Sequence, residues 1–109
     1  MQFEIMPQYE ISRYIGKEGV CIVDIRAYDK YLKGHIPSAY HLKSLGCSKS
    51  LLENPGVLGR YRHFIIYCDR GVSSINECMD ICDCDHYKKF RPRISSLYGG
   101  MAFYRGKLA

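Results

Sequence analysis

An α/β sandwich built on a parallel sheet is the fold class that this 109-residue chain predicts. Three observations carry it. Short apolar, β-leaning runs alternate with short helical patterns, the punctuation of βαβ units. Two of the runs, Val20-Cys21-Ile22-Val23-Asp24-Ile25 and Phe64-Ile65-Ile66-Tyr67, are nearly continuous in apolar residues. That is the pattern of strands covered on both faces, as in a parallel sheet. The second run ends abruptly at Cys68, then passes through a polar loop centred on Gly71 into an amphipathic helical pattern. In open α/β sheets, ligands gather beyond the carboxyl ends of such strands.

The elements follow in order. Phe3 to Ile5 reads as a first strand. Pro7 suits the first turn of a helix, with Ile11, Tyr14 and Ile15 as its apolar face and Gly16 as its stop. Val20 to Ile25 is the second strand. Ala27 to Lys33 is a short helix closed by Gly34, and Gly34 to Ala39 turns into a short strand, Tyr40 to Leu42. Ser48 to Glu53 allows a helical turn or two, which Asn54-Pro55-Gly56 breaks. His63 to Tyr67 is the next strand. From Ser73 onward, Ile75, Cys78, Met79 and Cys82 recur at helical spacing and define a buried face, with Ser73 or Ser74 as N-cap. Lys88-Lys89-Phe90-Arg91-Pro92-Arg93 reads as a solvated basic loop ahead of a last strand, Ile94 to Tyr98. Gly99-Gly100 ends that strand, and Met101 to Tyr104 starts a terminal helix or turn.

Length and composition narrow the function classes. The chain is the size of one domain, read as residues 1–109 without linker or repeat. No apolar run approaches the ~20 residues of a membrane span. The start, Met1 to Pro7, lacks the basic and long apolar regions of a signal peptide, which points to the cytoplasm or another reducing compartment. The six cysteines are therefore read as reduced thiols rather than a disulfide framework. The net charge of +5 fits attraction of small anions better than nucleic-acid binding, which needs a concentrated basic stripe. Neither a nucleic acid nor a membrane is expected as partner.

Cys68 is the candidate nucleophile. A thiol at a strand end sits among loop N–H groups and beside a helix N-terminus, and both favour negative charge on sulfur. The alternative, a small buried hydrophobe, is the usual state of a free cysteine, and the strand-end position argues against it.

Three segments resemble the rhodanese family of single-domain sulfurtransferases. Val23-Asp24-Ile25-Arg26, followed by Tyr31-Leu32-Lys33-Gly34-His35-Ile36-Pro37-Ser38-Ala39, is similar to the family's VDVR…GHIPGA signature. Tyr67-Cys68-Asp69-Arg70-Gly71-Val72-Ser73-Ser74 is similar to its active-site loop. Leu97-Tyr98-Gly99-Gly100-Met101-Ala102-Phe103-Tyr104 is similar to its closing L-x-GG-x-x-x-W segment. The matches span nearly the whole chain in the family's order. Departures are Asp69, where a basic or neutral residue is common, Ser73 for arginine or threonine, Tyr104 for tryptophan and Ser38 for glycine.

The resemblance implies a rhodanese-like three-layer sandwich with a central, mostly parallel five-stranded sheet. It also implies that Cys68 carries a sulfane sulfur as a persulfide, without cofactor or metal. The donor would be thiosulfate, another small anion or a persulfidated protein; the acceptor would be cyanide, a thiol or a protein cysteine. Asp69, Arg70, Gly71, Val72, Ser73 and Ser74 form the binding loop. Its N–H groups from Asp69 to Ser73 stabilise the persulfide anion, and Gly71 allows the backbone to turn them inward. Ser73 and Ser74 either donate hydroxyl hydrogen bonds or cap the helix. Arg70 attracts an anionic donor or is simply solvated, and Asp69 opposes that attraction. Asp24 and Arg26 match the family's paired polar residues and are read as structural support. His35 is read as fixing the Gly34–Ala39 turn rather than as a base, since a thiolate cradled by amides needs none.

The rivals are weaker. A cysteine-class phosphatase grips phosphate with an arginine six residues after its cysteine; here that residue is Ser74. A non-catalytic interaction module is kept open by Asp69 and opposed by the retained Cys68. Cys78, Cys82, Cys84 and His86 crowd soft ligands together, but their spacing is not that of a zinc-binding pair, and Cys78 and Cys82 fall on the buried face. Cys84 is alternatively a resolving thiol. Cys21 reads as strand core and Cys47 as a loop thiol.

Overall fold

The computed structural model describes residues 2–42 and 56–109, the side chains of Val57 and His86 excepted. Cys47, the Ser48–Glu53 turn and the breakers Asn54 and Pro55 lie outside the described residues. Among the described residues five strands form one sheet: β1 (Glu4–Met6), β2 (Val20–Asp24), β3 (Tyr40–His41), β4 (His63–Tyr67) and β5 (Arg93–Leu97). The order is β1-β5-β4-β2-β3, and every neighbouring pair is parallel. From β2 the chain steps outward to β3, then returns to the other side of β2 for β4 and β5. The crevice left by that reversal lies beyond the carboxyl ends of β2 and β4.

The alternation of side chains along the two central strands creates the layers. Cys21 and Val23 of β2, with Phe64 and Ile66 of β4, pack on one face against Cys78, Ile81 and Cys82. Ile22, Ile65 and Tyr67 pack on the other with Met6, Ile11, Ile36 and Leu97. All five residues of β4 are buried, and each fully buried Ile or Phe contributes about 1.5–3 kcal/mol relative to exposure.

The helices are α1 (Tyr28–Lys33), α2 (Gly56–Arg60), α3 (Ser73–Cys82), α4 (Asp85–Phe90) and α5 (Gly100–Phe103), with a 3-10 helix over Gln8–Arg13. Several expectations are corrected. The first helix is 3-10 rather than α, though Ile11 is buried as read. Gly56 stands at the start of α2. Lys88, Lys89 and Phe90 belong to α4, not to a loop. Cys84 caps that helix, its sulfur accepting the Tyr87 N–H at 3.3 Å, and Tyr87 anchors it in the core. A basic run with one buried residue carries no apolar period, so the helix is hidden in the sequence. Met79 is exposed: α3 buries Ser74, Glu77, Cys78, Ile81 and Cys82 instead. The helix is rotated so that a serine faces the end of β4.

Burial also sets a pH dependence. His63, on β4, bonds Ser95 Oγ through Nε2 at 2.7 Å, and burial pulls its pKa down to about 4. The unfolded chain, titrating near the ordinary 6.5, then binds more protons than the folded one between pH 6.5 and 4. Stability is whole above that window and falls by about 3 kcal/mol as pH drops through it. Denaturant unfolding from pH 7 to 4 should show this slope, and His63→Gln should flatten it. An unchanged slope in the variant would assign the loss to other groups.

Candidate active site

The chain leaves β4 at Tyr67 and turns at once through Cys68–Val72 into α3. Cys68 is buried, 6% exposed. Its Sγ accepts the Gly71 N–H at 3.1 Å and the Ser74 N–H at 3.4 Å, and its thiol donates to Ser74 Oγ at 3.4 Å. The N–H groups directed at sulfur are thus those of Gly71 and Ser74, a different set from the run Asp69 to Ser73 that the sequence suggests. Gly71 reaches this geometry at φ +89°, and a Cβ there would lie 2.9 Å from the Gly99 backbone nitrogen. Only glycine fits. Ser74 is fully buried, and its Oγ lies 2.7 Å from Ser96 Oγ on β5, so the hydroxyl links sulfur to the sheet.

Next to the sulfur is an open pocket of about 710 Å³. Asp69, Arg70, Val72 and Ser73 line one side, Ile25, Arg26, Ala27 and Lys30 a second, and Met101 and Ala102 a third. The sequence offers no sign of Lys30 or Met101 as site residues. Both come to the pocket through tertiary contacts, Lys30 from α1 with its Nζ 3.0 Å from Asp69 Oδ2, both side chains half-exposed. The Asp69 charge is met at the rim rather than left facing Cys68.

Arg26 lines the pocket, and the buried Asp24 holds it in place. Asp24 Oδ2 accepts from Arg26 Nη2 at 2.7 Å and from the Tyr67 hydroxyl at 2.7 Å, and Oδ1 accepts the Arg26 N–H at 2.8 Å. Arg26 Nη2 also donates to the Gly34 carbonyl at 2.7 Å. Burial alone would lower the Arg26 pKa, but the hydrogen bonds and charge of Asp24 hold it above the ordinary value. Burial, reinforced by the bond to Asp24, pushes the Tyr67 phenol well up. His35 is not among the residues lining the pocket. Its ring stacks on Tyr31 with centroids 3.8 Å apart, and Nδ1 lies 2.9 Å from the Tyr31 carbonyl oxygen. Ser38, in the same turn, holds φ +69°, and its Oγ accepts the Gly16 N–H at 3.1 Å.

The remaining described cysteines are free thiols. Burial pushes Cys21 up to about 11 and raises Cys78 and Cys82 as well, which keeps these three protonated and inert.

A sequence model of the rhodanese-like domain matches residues 8–106. The chain belongs to the rhodanese-like domain family. The rhodanese fold recurs in solved structures. A rhodanese-like domain protein from Staphylococcus aureus shares 21% identity at a TM-score of 0.68, over 98% of this chain and 96% of the other. A Saccharomyces cerevisiae protein described as a homolog of single-domain rhodanese and of the Cdc25 phosphatase catalytic domain gives 20% and 0.71, over 93% and 78%. A thiosulfate sulfurtransferase from Pseudomonas aeruginosa gives 17% and 0.70; 92% of this chain is covered, but it spans only 17% of that enzyme. A search of curated proteins finds no significant match. The rhodanese-like fold accounts for the placement of Cys68 at the reversal of strand order. Among the described residues no helix is long and apolar enough to cross a membrane.

Proposed function

We propose that this rhodanese-like domain is a sulfurtransferase that carries a sulfane sulfur as a persulfide on Cys68. The observation that supports it is the convergence of the Gly71 and Ser74 N–H groups on Sγ beside an open pocket. Those donors favour an anionic sulfur and serve a persulfide as an oxyanion hole serves oxygen.

In the first half-reaction the Cys68 thiolate attacks the outer sulfur of thiosulfate. The S–S bond of the donor breaks, sulfite leaves with the electron pair, and Cys68 holds –S–S⁻. In the second half, a nucleophilic acceptor such as cyanide or a thiolate attacks the outer sulfur and the thiolate is regenerated. Covalent catalysis divides one difficult transfer into two easier ones. Persulfides, of small thiols or of proteins, enter by the same step with a thiolate as leaving group. Asp69, Arg70, Val72 and Ser73 shape the approach. The Lys30–Asp69 pair offsets the Asp69 charge, leaving Arg70 to attract an anionic donor. Arg26 and Asp24 hold the floor, and His35 the neighbouring turn. The protein works in a reducing compartment, the cytoplasm, where its thiols stay reduced.

Mass spectrometry after incubation with thiosulfate, or with a thiol persulfide, should find an adduct of about 32 Da, one sulfur atom. Cyanide should remove it. Cys68→Ala should abolish it and lower turnover by about 10³-fold or more. If no donor adds sulfur to Cys68, the proposal fails and a binding module remains. Phosphate release from an aryl phosphate without sulfur transfer would point to a phosphatase instead.

A further inference from the structure

We propose that the face beside the catalytic pocket docks a partner protein through an acidic segment bearing apolar side chains, which brings the partner's sulfur to Cys68. This rests on the sulfurtransferase reading and names the partner that reading leaves open. The catalytic pocket does not end at the Cys68–Val72 loop. A second cavity of about 260 Å³ shares Arg70 and Val72 with it. A third, of about 650 Å³, shares Ile5, Tyr98 and Phe103 with the second. Together they form one track leading away from Cys68, far larger than a small inorganic donor occupies.

The track is lined by side chains that the core does not use. Tyr9 is 75% exposed, Val72 67%, Tyr98 57% and Phe103 52%, and the Tyr98 and Phe103 rings meet at 5.7 Å between centroids. Exposed aromatic groups clustered in this way mark an interaction site. Helix α5 forms the dividing wall, since Met101 and Ala102 line the catalytic pocket while Phe103 lines the other two cavities. The charged residues of the outer two cavities are Arg70 and Arg105. Both are exposed, and neither has an ion-pair partner among the described residues. A partner that buries apolar side chains here meets these two exposed arginines, so complementarity calls for acidic residues flanking those side chains.

The test uses a fluorescently labelled, extended peptide of alternating leucine and aspartate with a serine at one end, and its lysine counterpart. Anisotropy should show the aspartate peptide binding at least about 10-fold tighter, with affinity falling as salt rises. Arg105→Glu and Tyr98→Ala should each weaken it by at least about 5-fold. Both variants should leave the rate of Cys68 alkylation by iodoacetamide, read by peptide mapping, unchanged. Equal binding of the two peptides, no binding of either, or indifference to the two substitutions would overturn the proposal. So would self-association of the protein that Tyr98→Ala abolishes, which would assign the face to a second copy of this chain. Binding needs no chemistry at Cys68, so this result is independent of whether the sulfurtransferase reading survives.

Discussion

Gly100→Ala is expected to lower sulfur transfer about 100-fold, the cost of an ångström-scale displacement of reacting groups. Gly100 sits at φ +57°, and a Cβ there would lie 2.3 Å from the Cys68 carbonyl oxygen and 3.0 Å from the Asp69 carbonyl carbon. Neither neighbour is a flexible side-chain end. Relief requires α5 and the Cys68–Val72 loop to separate. That movement breaks two bonds that now join them, Met101 N–H to the Cys68 oxygen and Ala102 N–H to the Asp69 oxygen, both 2.9 Å. The left-handed backbone of a non-glycine residue adds about 1–3 kcal/mol of destabilisation. Gly16→Ala separates the two effects: Gly16 has φ +72°, but nothing lies within 4 Å of its added Cβ. It should lose stability without losing activity. Steady-state kinetics and denaturant unfolding of both variants check this, and an active Gly100→Ala protein would show that the contact does not position Cys68.

Asp24→Ala is expected to cost about 3–5 kcal/mol, because it leaves the buried Arg26 guanidinium without its counter-charge. The carboxylate is fully buried and joins Arg26, the Tyr67 hydroxyl and, through Arg26, the Gly34 carbonyl. The Tyr67 hydroxyl in turn accepts the Ile36 N–H at 3.1 Å. One side chain therefore ties the end of β2, the residue before Cys68 and the turn after α1. Residues sharing such a network are not independent. Asp24→Ala with Arg26→Ala should cost well under the sum of the two single changes, and Tyr67→Phe alone about 1–2 kcal/mol. Unfolding free energies of the wild type, the Asp24→Ala and Arg26→Ala variants and the double variant give the cycle, with Tyr67→Phe measured beside them. Additive losses would mean that the pair does not act as a unit.

Much of this molecule is legible in local pattern. The parallel sheet follows from apolar runs such as Val20–Val23 and Phe64–Tyr67, since only strands covered on both faces can be apolar at every position. Cys68 at a strand end, followed by Gly71 and a helix, marks the candidate site because backbone N–H groups collect there. The motifs also assign the family over most of the chain. Tertiary structure alone decided the rest. Met79 outcompetes Ser74 and Glu77 on any hydrophobicity count, yet α3 leaves it exposed and turns Ser74 inward, where it meets Cys68 and Ser96. Lys30 and Asp69 meet across 39 residues, and the exposed aromatic track joins side chains from both ends of the chain. Periodicity records which residues prefer burial. Which polar group earns a buried place, and which apolar ones stay outside, depends on partners that only the folded chain brings within hydrogen-bond or van der Waals distance.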